Sequence, residues 1–310
     1  MAEAHPAGPG SAPEHGAAEP PSVQLVEVRP SLGETLALAW ESRHLLWPMA
    51  ARVVGAMYQG TKLGRGWFVL RPGADILAKL LLFGGVLGVS GGDAPYLLVL
   101  LAALLSWRLL ERALFWGTRS FDRYRRLMRK VEIPLLMVPI GAFGPALVEG
   151  MVYLCFAALA LVAYLAIDGH LYLQAPPGLL LALGGLLMPL LLALALSLWT
   201  SVLNARARDV RYLLRYVLQF WLYLTPVVYP LAELPSGLQT VALLNPMTPP
   251  VEMVKEGLMG AGRVETWSVL WSASVILVLL LVGLWYFSRS ASAFDALSGD
   301  ADPEEDDLPA

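Results

Sequence analysis

The chain has 310 residues, 57% of them apolar and 15% charged, with a mean hydropathy of +0.59. A soluble domain sits near roughly 45–50% apolar and about 25% charged, so this is the composition of an integral membrane protein, with room for about six spans of roughly 20 residues each. The net charge of −3 excludes little, because charge is segregated along the chain, but a single cysteine, Cys155 in an apolar run, excludes a disulfide scaffold or a thiolate metal cluster.

Residues 1–30 are rich in Ala, Pro, Gly and Glu and are predicted to form a disordered cytoplasmic tail. His5 and His15 lie there and read as solvated rather than metal-binding. No short apolar stretch near the start reads as a cleavable signal peptide, so insertion relies on the spans. Ser31-Leu32-Gly33-Glu34 fits a capping box and predicts a helix from Leu32. Residues 31–66 read as an amphipathic interfacial segment with Trp40 and Trp47, interrupted at Pro48.

The first span is predicted over about Trp67 to Val89. Its charges, Arg71, Asp75 and Lys79, are spaced by four and share a helical face. Charge inside a span is costly and faces a partner or water. Two readings fit: Arg71 snorkels while Asp75 neutralises Lys79, or the face lines a dimer seam or a conduit. The second span, about Ala94 to Phe115, carries Arg108, Glu111 and Arg112 in its last turns. They mark either an approach to the cytoplasm or an internal ion-pair network.

A basic segment follows, with Arg119, Arg123, Arg125, Arg126, Arg129 and Lys130. Such a loop belongs on the cytoplasmic side. Ser120 to Met128 is predicted to be a helix within it. The third span runs from roughly Pro139 to Ala166, broken by Gly141, Gly144 and Pro145. Glu149 inside it should pair with a basic residue of another span or be protonated by desolvation. The loop Ile167 to Pro177 has Asp168 and no Lys or Arg, so it reads as outside, with His170 solvated. The fourth span covers about Leu179 to Leu203, where Gly184-Gly185 predicts close packing.

The stretch from Asn204 to Asn245 is the most distinctive. It opens on Asn204-Ala205-Arg206-Ala207-Arg208-Asp209-Val210-Arg211. The fifth span, Tyr212 to Ala232, has Arg215 near its start and Thr225-Pro226-Val227-Val228-Tyr229-Pro230 near its end. Proline inside a helix frees a carbonyl one turn back, and in a membrane that carbonyl needs protein or a polar path. Leu244-Asn245-Pro246-Met247-Thr248 follows. From Glu233 to Thr266, four glutamates (Glu233, Glu252, Glu256, Glu265) face only Lys255 and Arg263, which reads as an outer loop. The sixth span is predicted over about Trp267 to Phe287, and 288–310 read as an acidic cytoplasmic tail. The sum is a 67–287 membrane domain of six spans with both termini cytoplasmic.

In order, these motifs resemble the permease subunits of ABC-2 type exporters, in the polysaccharide-export group (O-antigen, capsule, teichoic acid). Asn204, Arg206, Asp209, Val210, Pro226, Tyr229, Pro230, Asn245 and Pro246 carry the resemblance. Arg52, Tyr58, Thr61, Leu63-Gly64 and Trp67 add to it upstream, and Leu127, Lys130, Val131, Pro134 and Pro139 in the middle. Val53 and Met57 stand where acidic and basic residues are common, and Ile133 where an aromatic is. The resemblance implies an all-α membrane fold with six transmembrane helices of the ABC-2 (type V exporter) kind. It implies an N-terminal interfacial helix, a cytoplasmic coupling helix, and short outer re-entrant helices between spans five and six. The second of those should start at Pro250 or Val251. It further implies a homodimer with two copies of a separate ABC ATPase in a bacterial cytoplasmic (inner) membrane, carrying a lipid-linked glycan. Ser120, Arg123, Tyr124, Arg126, Leu127 and Lys130 are then expected to couple to the ATPase.

No G-x-x-x-x-G-K-[ST] phosphate loop occurs, so ATP and Mg would be bound by the partner and no cofactor by this chain. H-E-x-x-H, C-x-x-C and G-x-S-x-G are missing too, so no catalytic or metal residues are assigned and a membrane enzyme is disfavoured. No nucleic-acid partner is expected; membrane lipid is. Sugar rings stack their C–H faces on aromatics, which makes Trp67, Phe68, Phe220, Trp221, Tyr223 and Tyr229 candidates for a glycan path. A lipid-interface belt explains Trp67 equally well. Two rival functions stay open: export of a drug or small lipid, and a non-transporting scaffold for a glycan assembly complex.

Overall fold

The computed structural model describes residues 32–128, 130–131 and 133–290. The 1–30 tail, the Ser31 cap, Arg129 and residues 291–310 lie outside the described residues. Those described are helical, with no strand among them. The helices are α1 (Leu32–Glu41), α2 (Leu46–Ala56), α3 (Trp67–Lys79), α4 (Tyr96–Thr118), α5 (Ser120–Met128) and α6 (Met137–Gly141). They continue as α7 (Gly144–Asp168), α8 (Pro176–Arg206), α9 (Val210–Leu224), α10 (Ser236–Leu244), α11 (Thr248–Met259) and α12 (Thr266–Arg289).

Among the described residues, three helical stretches are long and apolar enough to cross a membrane: Met137–Asp168, Pro176–Arg206 and Thr266–Arg289. The other three expected spans differ for a reason. A π-helical stretch, Leu80–Val86, extends α3, but that span holds three charges; α4 also holds three, and α9 is only 15 residues long. The charges of α3 and α4 meet in an ion pair, Asp75 with Arg108.

Helix α4 is the hub. Leu98, Leu100, Ala102, Leu104, Trp107, Leu110 and Ala113 are all fully buried, so no side of it faces lipid. Helices α7, α8, α9 and α11 surround it. The outer faces of α7 and α12 expose Leu147, Met151, Leu159, Val278 and Leu281, which suits hydrocarbon. Helix α8 tolerates an internal Pro189 because the carbonyl one turn back is not left bare: Ser106 Oγ of α4 donates to Gly185 O at 3.3 Å. Gly185 also allows α11 to close in, since a Cβ there would stand 2.7 Å from Pro250 O.

Three boundaries depart from the expectations. Pro48 does not interrupt its segment: it is the third residue of α2, where no intrahelical partner exists for its missing N–H, and the break is the 3-10 turn Ser42–Leu45 before it. Helix α11 starts at Thr248, earlier than Pro250, because both prolines fit the first turn. The fifth span is not helical to Ala232. Helix α9 stops at Leu224, and Thr225 is extended (φ −101°, ψ 135°), as the residue before a proline prefers. Pro226 and Pro230 therefore end a helix rather than kink one.

Candidate functional site

Three clusters lie along α9, one at each end and one between. At its Val210 end sits the amphiphilic helix α5, with the bounds expected from sequence. Phe121 and Tyr124 are its buried face. The Tyr124 hydroxyl lies 3.0 Å from both Met49 O of α2 and Gly141 O of α6, and burial pushes its phenol pKa up. The Phe121 ring packs on Phe287 of α12, with centroids 6.0 Å apart. Asp122 accepts from Asn204 Nδ2 at 3.1 Å and pairs more loosely with Arg211 at 3.9 Å. Helix α5 thus touches α2, α6, α8, α9 and α12, so a push on it reaches most of the bundle.

The cations around it are many and the anions few. Burial, with Arg211 and Arg123 nearby, lowers the Arg119 pKa. Arg119 lies over the Phe115 ring and Arg123 over the Trp116 ring. Ser120 is buried, Leu127 is half-buried, and Arg126 and Lys130 are exposed, as are Arg206 and Asp209. Five of the six expected coupling residues therefore lie on one short element, with Lys130 two residues past its end, and with Ser120 and Tyr124 inside and the charges out. Asp122, which the expectation omitted, is the acid that ties it down.

The middle cluster is ionic. Asp75 of α3 is paired by Lys79 one turn on, by Arg108 of α4 at 2.6 Å, and by the Tyr153 hydroxyl of α7 at 3.1 Å. Arg108 also meets Glu111 at 2.5 Å. Arg112 pairs with Glu149 of α7 at 2.5 Å, so the expected partner for that carboxylate comes from the second span. Arg71, one turn before Asp75 on the same face, is exposed and stands outside this network. Of the two readings for Arg108, Glu111 and Arg112, the internal network is the one observed.

At the Leu224 end, hydrogen bonds close a knot around the proline segment. Asn245 Oδ1 accepts from Trp221 Nε1 at 2.9 Å and from Met247 N at 3.0 Å, while its Nδ2 donates to Thr225 Oγ1 at 2.9 Å. Tyr96 of α4 donates to Val228 O at 2.7 Å. Ser272 of α12 donates to Pro246 O at 2.6 Å, and Trp271 Nε1 to Leu244 O at 3.0 Å. Lys255 of α11 donates to Pro226 O at 2.6 Å and to Glu252 at 2.7 Å. The second Glu252 oxygen accepts from Arg263 N at 2.8 Å.

Glu252 and Lys255 belong to the stretch whose charge bias reads as an outer loop. Their side chains are 2% exposed, because α11 packs against α4 and α8. The signal was present as a Glu-x-x-Lys pair among Val251, Met253 and Val254, which puts both charges on one helical face with apolar neighbours.

The expected aromatic path divides. Trp221, Tyr223 and Tyr229 line a groove of about 610 Å³ between the α9 end and α10, together with Asn245 and Pro246. Tyr229 donates to Tyr223 O at 3.0 Å, which holds its ring there. Phe220 is 68% exposed on another face of α9. Trp67 and Phe68 lie at the start of α3, where Phe68 meets Tyr58 edge-on at 5.0 Å. That tyrosine has a positive φ of 61°, a strained turn entering α3. Three of the six aromatics are brought together and three are not.

Comparison with known proteins bears on these clusters. The family model described as "ABC-2 type transporter" matches residues 77–259. The chain is also similar to the O-antigen export system permease protein RfbA of Myxococcus xanthus, 28% identical over 211 residues, which cover 67% of this chain and 77% of that protein.

Proposed function

This chain belongs to the ABC-2 type transporter family, a multi-pass membrane family, and from that premise we propose that it is the permease subunit of an ATP-driven exporter of lipid-linked polysaccharide. The observation that carries the substrate class is the similarity to an O-antigen export permease over two thirds of the chain. The path of aromatic side chains at the α9 end supports it. On this reading the chain pairs with itself and with two copies of a separate ATPase. Six spans cross the cytoplasmic membrane, and both termini face the cytoplasm. The polar helices α3 and α9 face the conduit or their partner copy, while α4 is enclosed by the rest of the bundle, which is why all three fall short of a lipid-facing composition.

The mechanism is mechanical. ATP and Mg bind in the partner, and closure of the ATPase pair moves α5. That motion has somewhere to go, because Tyr124 ties α5 to the backbone of α2 and α6, and Asp122 ties it to α8 and α9. Coupling then requires that the two states of the bundle contact the ATPase differently.

The test begins with the tagged chain, purified from detergent-solubilised native membranes and identified with whatever accompanies it. A P-loop ATPase near one-to-one, and loss of a surface glycan when the chain is deleted, are the expected results. The chain alone, or with glycosyltransferases only, would move the weight to a scaffold. An ATPase partner with surface glycans unchanged would point to a drug or small lipid instead.

A further inference from the structure

Between α3, α4 and α9 lies a second, smaller cavity of about 240 Å³, polar where the groove above it is apolar. Asp75, Lys79, Arg108, Glu111, Arg215 and Gln219 border it. Their charges do not cancel. The two carboxylates are taken by Lys79 and Arg108. Arg215 is left over: among the described residues it makes no ion pair and no hydrogen bond, although it stands in a segment read as membrane-spanning. A free cation there is costly without a counter-charge or water.

Other donors point the same way. Arg215, Gln219 and Tyr223 recur every four residues, so α9 presents a cation, an amide and a phenol as one stripe along the cavity. Gln219 likewise has no partner among the described residues. The wall contains Trp107, which is 0% exposed, and its indole N–H is unsatisfied. A buried donor without an acceptor, as at Trp107, signals a missing acceptor, and the exposed Arg215 and Gln219 border the same cavity. Tyr223 lines both this cavity and the groove, so the two are neighbours.

We propose that this cavity binds a phosphate ester, with Arg215 supplying the free charge and Gln219 and Trp107 supplying neutral donors. At about 240 Å³ it is below the roughly 300 Å³ at which whole drug-sized ligands are housed, so it takes a head group and leaves the rest outside. The same chemistry has two sources, the phosphate of a polyprenyl-linked substrate and the head group of a bilayer phospholipid. Placing the cavity on the substrate path rests on the exporter reading; phosphate binding itself does not.

The purified full-length chain in neutral detergent would be titrated with farnesyl monophosphate, using tryptophan fluorescence, with farnesol as the uncharged control. Farnesyl monophosphate should bind at least tenfold more tightly than farnesol. Arg215→Gln should weaken it at least tenfold, and Arg215→Lys should recover part of the loss. Arg215 is exposed, so these variants should melt with the parent chain, which a thermal scan checks. Gln219→Leu serves as the second variant, with a smaller loss. Competition by phosphatidylglycerol would assign the site to bilayer head groups; its failure to compete would assign it to the isoprenoid carrier. Equal affinity for farnesol, or affinity unchanged in both Arg215→Gln and Gln219→Leu, would overturn the proposal. Those results would leave the exporter reading standing, since that depends on ATPase recovery and glycan loss.

Discussion

The two ends of α9 are built on opposite principles. At the Leu224 end nearly every polar group is used: Asn245, Thr225, Tyr96 and Lys255 each have a partner at 2.9 Å or less. At the Val210 end guanidinium groups crowd together, and Asp122 is the one acid with described contacts to Asn204 and Arg211. Asp209 precedes α9 without a side-chain cap. A satisfied network resists rearrangement, because breaking it strands buried donors. A surplus of exposed cations costs little to rearrange and is open to an acidic partner. The difference teaches that one end serves as a fulcrum and the other as a handle.

That contrast can be broken by substitution, and the effects on stability should descend from the fulcrum to the handle. Lys255→Met leaves Glu252 buried beside a lost cation and should cost about 3–5 kcal/mol, read as a large fall in melting temperature in detergent. Adding Glu252→Gln should return much of it. A neutral Lys255→Met single variant would show that the pair is not structural. Asn245→Ala removes three hydrogen bonds and strands the Trp221 and Met247 donors, for about 2–4 kcal/mol by the same measurement.

Tyr124→Phe keeps the ring and loses the hydroxyl, so about 0.5–1.5 kcal/mol is expected. Its sharper readout is transport-linked: ATPase stimulation in the reconstituted complex should fall further than melting temperature does. Arg123→Glu with Arg126→Glu should shift stability by no more than about 0.5 kcal/mol, since both residues are exposed. Yet it should abolish ATPase stimulation while membrane insertion stays intact. The ranking for coupling is thus the reverse of that for stability. Stimulation that survives the double reversal would remove α5 from the coupling role.

Much of this was legible along the chain. The α5 bounds follow from a sharp switch between apolar and basic residues. Helices α7, α8 and α12 follow from long apolar runs, which a membrane admits only as helices. The need for a partner at Glu149 followed from its cost alone. Membership in the family was legible in short motifs around Asn204, Pro226 and Asn245.

Which groups meet was decided by the tertiary structure. Composition and periodicity are local properties, while ion pairs such as Asp75 with Arg108, or Arg112 with Glu149, join helices that no local pattern orients. The same holds for Lys255. The charge bias of its stretch does not say where the side chain points, and only the packing of α11 against α4 and α8 places it inside to hold Pro226 O. Even the proline pair needed the fold: both ending and kinking a helix obey proline's chemistry, and the acceptors and donors waiting around Thr225 selected the ending.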